Sequence, residues 1–235
     1  MESGLAMTIQ FQPDSNDIFP ENLIVPPNRN TMLQCSKDGT LRNSEEDVES
    51  RITYFDTPGK ENTDAVLQIV KKRAEELGIR KVVVASYRGY TALRAVEILK
   101  GFQIIVISGF RDITAENINQ GIPEADKKFI DSHGGIVYVA THLFSGINRA
   151  MSKKFNTFML GDIVAACMRT MSTGIKVAVE CTVAAADAGL VRTDEDVIAI
   201  GGTRSGADSA ITLRPVVSAD FFDLKIKEIL CKPYH

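Results

Sequence analysis

From Arg51 onward, short continuous apolar runs alternate with stretches in which apolar residues return every three or four positions. The runs ITYF (52–55), KVVVAS (81–86), FQIIVIS (102–108), IVYVAT (136–141), VIAI (197–200) and SAITLRP (209–215) are the strand candidates. Several are continuous and β-branched, the pattern of strands buried on both faces. Between the first two, a turn (DTPGKENTD) leads to Val66, Ile69, Val70, Ala74 and Leu77 at helical spacing, a stripe interrupted by Arg73. Asn62 or Thr63 is the candidate N-cap of that helix and Gly78 its C-terminal stop. The pattern predicts further helices over 91–100, closed by Gly101, and over about 123–132. The segment 156–189, rich in Ala, Met and Val, reads as two helices broken near 172–174. FFDLKIKEILCKP (221–233) fits either a strand or a short helix.

Strands alternating with helices predict an α/β domain, a three-layer α/β/α open sheet that is mostly parallel. The link from Gly201 to Ser209 is too short for a crossover helix, so 209–215 is expected to run antiparallel at one edge. Residues 1–50 differ: they are rich in Pro, Asn, Asp and Ser and poor in core formers, and read as a polar N-terminal extension to a domain over 51–235.

In open α/β sheets, ligands sit at the carboxyl ends of parallel strands. Four such ends carry small residues, hydroxyls and arginines. After 81–86 come Ser86, Arg88, Gly89, Tyr90 and Thr91. Gly89 permits a tight turn into a helix whose first N–H groups would face an anion, with the Ser86 and Thr91 hydroxyls as further donors. Thr91 fits a helix cap equally well, and the loop matches neither the dinucleotide fingerprint nor a Walker A loop. After 102–108 comes Phe110, and after 136–141 come His142, Ser145 and Gly146. After 197–200 come Gly201, Gly202, Thr203, Arg204, Ser205 and Gly206, where glycines allow close backbone approach and Arg204 could grip a phosphate bidentately. A glycine-rich turn with a solvated arginine is the alternative. Asp208 would repel a phosphate and fits a hydroxyl or the loop backbone.

His142 is the weak candidate for acid–base catalysis, since an imidazole exchanges protons near neutral pH. His133 fits a helix C-terminus. Glu180 and Asp187, seven apart on one face of an apolar helix, need partners: pairing with arginines such as Arg149 or Arg169 is expected, and serving a site is the alternative. No nucleophile–base pair and no metal site stands out.

Composition narrows the classes. The chain has 235 residues, 44% hydrophobic and 24% charged, with a net charge of −3 spread along its length. No basic stripe suggests nucleic acid or a membrane surface. No run reaches the ~18 apolar residues of a membrane span. The four cysteines, none in metal-binding spacing, fit free thiols in a reducing compartment. The N-terminus lacks a signal-peptide pattern, and a cytoplasmic location is expected.

The order of motifs resembles a known family. VVVASYRGYTALRAVEIL followed by FQIIVIS is similar to the strand–loop–helix–strand of the pyruvate kinase C-terminal domain, and AADAGLVRTDEDVIAIGGTRSGADSAITLR to its closing segment. The likeness is closer to stand-alone, uncharacterised proteins of that fold, through YFDTPGKENTDAVL, THLFSGINRAMSKKF, VAVECTVAAADAGL and LRPVVSADFFDLKIKEILC. It spans about 51–233. The resemblance implies a sheet of about five strands with one antiparallel edge strand. It also implies a phosphate loop at Ser86, Gly89 and Thr91, and flavin mononucleotide (FMN) as cofactor. Tyr87, Arg88 and Tyr90 depart from the usual small residues of that loop and would narrow the pocket or stack on a ring. Self-association of the pyruvate kinase domain, with the apolar helices over 156–189, implies a homo-oligomer.

The expected function is therefore binding of a phosphorylated, ring-containing small molecule, FMN first among candidates. The alternative is a non-catalytic regulatory or assembly module that senses a sugar phosphate. Pyruvate kinase activity is not expected, because that chemistry needs a metal-bearing barrel of about 250 residues.

Overall fold

The computed structural model describes residues 50–109, 112–113, 118–119 and 121–235. The polar extension and Phe110 lie outside the described residues. Seven strands form the main sheet: β1 (Thr53–Phe55), β2 (Lys81–Ala85), β3 (Gln103–Ser108), β6 (Ile136–Val139), β7 (Val197–Gly201), β8 (Ser209–Arg214) and β9 (Lys225–Pro233). A separate antiparallel ribbon pairs β4 (Asp112–Ile113) with β5 (Ile118–Asn119). The sheet order is β1-β9-β8-β7-β2-β3-β6. Neighbours are parallel except β7/β8 and β8/β9.

The central strands form because both of their faces are buried. Val82 and Val84 point to one side with Val106, Ile198 and Ile200, against α1 (Thr63–Leu77), α2 (Tyr90–Ile98) and α3 (Glu124–Ser132). Val83 points to the other side with Ile105, Val197 and Ala199, against α6 (Thr173–Asp187). This is the period-2 alternation of a strand, filled from two layers. The α/β/α architecture is therefore as expected.

Two expectations are corrected. The sheet has seven strands, not about five, and the antiparallel strand β8 is interior because β9 and β1 extend the sheet beyond it. The C-terminal segment resolves into a 3-10 turn at Ser218–Asp223 followed by β9. Its ladder with β8 shifts register between Ala210 and Ile211 and again between Thr212 and Leu213, so its inward positions do not alternate cleanly.

Helix α6 is buried nearly all round, and Ser172 caps it by accepting the Ile175 N–H. Its first turn lies directly on the end of β7. A Cβ at Gly201 would sit 2.1 Å from the Gly174 carbonyl oxygen. Only glycine permits that approach, which brings α6 to the carboxyl end of the sheet. The other two helices, α4 (Ile147–Phe155) and α5 (Leu160–Arg169), lie between β6 and α6 in sequence.

Candidate functional site

The first loop runs from the end of β2 to α2. The Ser86 amide donates to the Ile107 carbonyl, and Ser86 Oγ accepts from the Ala92 N–H at 3.2 Å, tying the strand end to the helix start. Gly89 has φ +97, and a side chain there would also press on Asp126 and Ile122. The N–H groups of Tyr90 and Thr91, in the first turn of α2, donate to no group among the described residues. Unpaired amides and the helix dipole together make such a terminus attractive to anions.

The second loop, 201–208, is held from beneath. Asp208 is fully buried and accepts from the Thr203 N–H (2.9 Å), the Gly59 N–H (3.1 Å) and Ser209 Oγ (2.9 Å). It thus binds the loop backbone. The Thr63 hydroxyl donates to the Lys60 carbonyl and accepts from the Ala207 N–H. Gly206, at φ +75, packs so closely on Lys60 that a Cβ would lie 2.4 Å from the Lys60 Cα. At the tip, Arg204 is exposed with φ +65, a left-handed conformation that costs free energy for a side-chain-bearing residue and persists where the surroundings impose it.

These loops border one cavity of about 520 Å³. Ser86, Arg88, Tyr90 and Thr91 line it from the first loop, Gly202, Arg204, Ser205 and Gly206 from the second, and His142 from the end of β6. Gly89 and Gly201 shape backbone without lining the space, and the Thr203 amide is spent on Asp208. Ser145 lines a different cavity, and Gly146, the residue before α4, lines neither. Tyr87 also lines it, as expected of a ring in that loop, and lining residues that the motifs did not reveal include Ile107, Thr173, Val177 and Cys181. Tyr87 is admitted by Gly109, where a Cβ would lie 2.3 Å from the ring. Burial pushes the Cys181 thiol up to about 12, so it is a neutral wall group. The Lys60 ammonium sits 4.1 Å from the centre of the Tyr90 ring.

A second cavity of about 1070 Å³ lies among α4, α5 and α6 and shares His142, Thr173 and Val177 with the first. At the junction, Glu180 is buried. Its Oε2 pairs with Lys176 Nζ and lies 3.7 Å from His142 Nδ1, while Oε1 accepts from the Phe144 N–H. This corrects the expected arginine partners: Glu180 pairs with the lysine one turn earlier. Asp187 instead accepts from the Ser218 N–H. The signal was present as Lys and Glu four apart on an apolar helix. Burial pushes His142 below its ordinary value, Glu180 opposes the shift, and Lys176 and Arg149 add to it. The balance favours its neutral imidazole form. His133 ends α3, with its Nδ1 2.8 Å from the Phe129 carbonyl oxygen, as its position suggested. Among the described residues, no three His, Cys, Asp or Glu side chains cluster to hold a metal.

A family model described as "Pyruvate kinase, alpha/beta domain" matches residues 64–214. Among solved structures, the pyruvate kinase of Cryptosporidium parvum in complex with ADP is 13% identical over 70% of this chain and 23% of that chain, with a TM-score of 0.33. The crystal structure of O-ureido-L-serine synthase is 15% identical over 41% of this chain and 30% of that one, with a TM-score of 0.26. The chain thus spans less than a third of either solved protein.

Proposed function

The chain belongs to the pyruvate kinase alpha/beta domain family, and from that premise we propose that it binds a phosphorylated, ring-containing small molecule, with FMN the best candidate, in the cavity between its first two loops. One observation supports this above the rest. The amides at the start of α2 that have no partner among the described residues, the guanidinium groups of Arg88 and Arg204, and the rings of Tyr87, Tyr90 and His142 border one space of about 520 Å³. That volume is typical of a small-molecule site. The donor set suits a phosphate, and the rings suit a flat apolar partner.

In this reading the Tyr90 and Thr91 amides, the Ser86 hydroxyl and the Arg204 guanidinium would hold the phosphate. Tyr87 and His142 would border the ligand's ring system. Bound flavin supplies electron and hydride transfer. The chain's own residues orient it, keep its phosphate neutralised, and offer at His142 a neutral imidazole able to take up a proton.

The reading extends to self-association and location. Ile147, Phe158 and Leu160 are each 80% or more exposed, apolar surface that a second copy would cover. Among the described residues, no helix is long and apolar enough to cross a membrane. The free thiols of Cys167, Cys181 and Cys231 suit a reducing compartment, and the cytoplasm is the location proposed.

Calorimetric titration with FMN and with ribose 5-phosphate, alongside the absorbance spectrum of the freshly purified protein, tests the proposal. Saturable FMN binding or a co-purified flavin spectrum is expected. Tight sugar-phosphate binding without FMN binding would replace it with a regulatory module that senses a sugar phosphate. Binding of neither would overturn both.

A further inference from the structure

We propose that the larger cavity is a second, separate binding site for a small organic oxyanion, held between Arg149 of α4 and Arg169 of α5. Both arginines line the cavity, and neither makes a hydrogen bond or ion pair among the described residues. The carboxylates facing the same space are already engaged. Asp162 Oδ2 accepts from Ser152 Oγ at 2.8 Å and from the Met159 N–H at 3.0 Å. Glu180 is tied to Lys176 and the Phe144 amide. Lys153 adds a further positive charge to the wall. With Lys176 and Glu180 cancelling, Arg149, Arg169 and Lys153 face Asp162 alone, and the space carries an excess of positive charge that a bound anion would offset.

The position of Arg149 is the more telling of the two. Arg169 lies in the last turn of α5, where a cation also complements the helix dipole. Arg149 lies in the first turn of α4, a turn with no acidic residue and no side-chain cap, where the dipole disfavours a cation. A guanidinium at that end, lining the same concave space as a second one, leaves positive charge that Asp162, which feels both arginines, offsets only in part, and a bound anion accounts for the rest. Apolar wall residues (Phe144, Ile163 and Val177) leave room for a carbon skeleton beside the charged group.

His142, Thr173 and Val177 belong to both cavities, so the occupants would be neighbours. That they react with one another rests on the flavin reading; anion binding between the arginines does not.

Three proteins are titrated at low ionic strength with succinate and with inorganic phosphate: the wild type, the Arg149→Gln/Arg169→Gln double variant, and Arg204→Ala. Both arginines are exposed, so the double variant should fold, which its melting curve checks. At least one probe should bind Arg204→Ala as it binds the wild type, and the double variant should bind that probe at least about tenfold more weakly. The identity of that probe tells carboxylate from phosphate. The double variant should keep the wild-type response to FMN, whatever that response is. The proposal is overturned if neither probe binds Arg204→Ala saturably, or if the double variant binds both as the wild type does.

Discussion

The two cavities meet at His142, yet their walls are built on different terms. The smaller is bordered by loops whose backbones are over-determined. Asp208 receives three hydrogen bonds from two segments, Thr63 bridges Lys60 and Ala207, and Gly201 and Gly206 pack against backbone with no room for a Cβ. The larger is bordered by α4, in which no residue is buried, and α5, in which only Ala165 is. Loops held this way present donors in fixed places before any ligand arrives, so little ordering cost is left for binding. Helices with so little buried surface owe their position to few contacts and open at low free-energy cost. The first site is thus expected to be a rigid receptor and the second a pliant one, firmed by a ligand or a second copy.

The largest expected effect contrasts one side chain in each region. Gly201→Val forces a side chain into the first turn of α6, where no flexible group can yield. We expect a loss of about 3 kcal/mol or more, a melting temperature lower by roughly 6–12 °C, or no folded protein. Phe155→Ala in α4 removes a ring that is 61% exposed and should change stability by no more than about 0.5 kcal/mol. Equal losses in thermal melts would erase the distinction and raise the question whether α4 is packed against a second copy. Light scattering of Phe158→Asp, expected to shift any oligomer toward monomer, would decide that point.

Next in size is a pair of carboxylates. Asp208→Asn turns an amide N–H₂ toward donors and is expected to cost roughly 2–3 kcal/mol, with weaker FMN binding because the loop bearing Arg204 loses its anchor. Asp162→Ala removes the side chain that accepts the Met159 N–H at the start of α5 and should cost about 1 kcal/mol, the scale of a helix cap. It should leave FMN affinity unchanged. Denaturant titrations and calorimetry on both variants check this, and a larger loss in Asp162→Ala would reverse the ranking of the two walls.

Smaller in stability but direct in function is Arg204→Ala. An exposed loop arginine packs little, so the fold should keep its stability while FMN binding weakens by roughly 1.5–3 kcal/mol. Gly89→Val, at φ +97, should abolish binding by deforming the turn that presents the α2 amides. Unchanged affinity in Arg204→Ala with loss in Gly89→Val would leave the first loop as the whole anion site.

The same contrast governs what could be read from residues alone. The β-branched runs of β2, β3 and β7 were legible because burial on both faces leaves one local signature. Strand β9 was not, because its irregular register with β8 breaks the alternation that marks a strand. Helix α4 went unread because its apolar residues serve no core. At the site, the glycines, hydroxyls and arginines of the two loops are local features, and the cavity gathers most of them. The supports are long-range: Asp208 meets Gly59, Ala207 meets Thr63, and His142 meets Glu180 only after the sheet and α6 are assembled. Phe110 falls outside the described residues.

The smallest effect is expected at the junction itself. Burial holds His142 below the ordinary histidine value of 6.5, with Lys176 and Arg149 adding to the shift and Glu180 working against it. Between that lowered value and 6.5, the unfolded chain carries the proton and the folded chain does not. Stability therefore rises with pH across this window, is complete above 6.5, and is lost as pH falls toward the lowered value. His142→Gln should flatten that part of the profile, modestly because the ring is partly exposed. A histidine NMR titration reads the group directly, and its midpoint should lie below 6.5. An anion bound between Arg149 and Arg169 would offset their charge and raise the midpoint, so succinate or phosphate should shift it upward in the wild type and not in the double variant. A midpoint above 6.5 in the free protein would mean that Glu180 outweighs burial, and His142 would then be a charged partner of Glu180 and no base for either cavity.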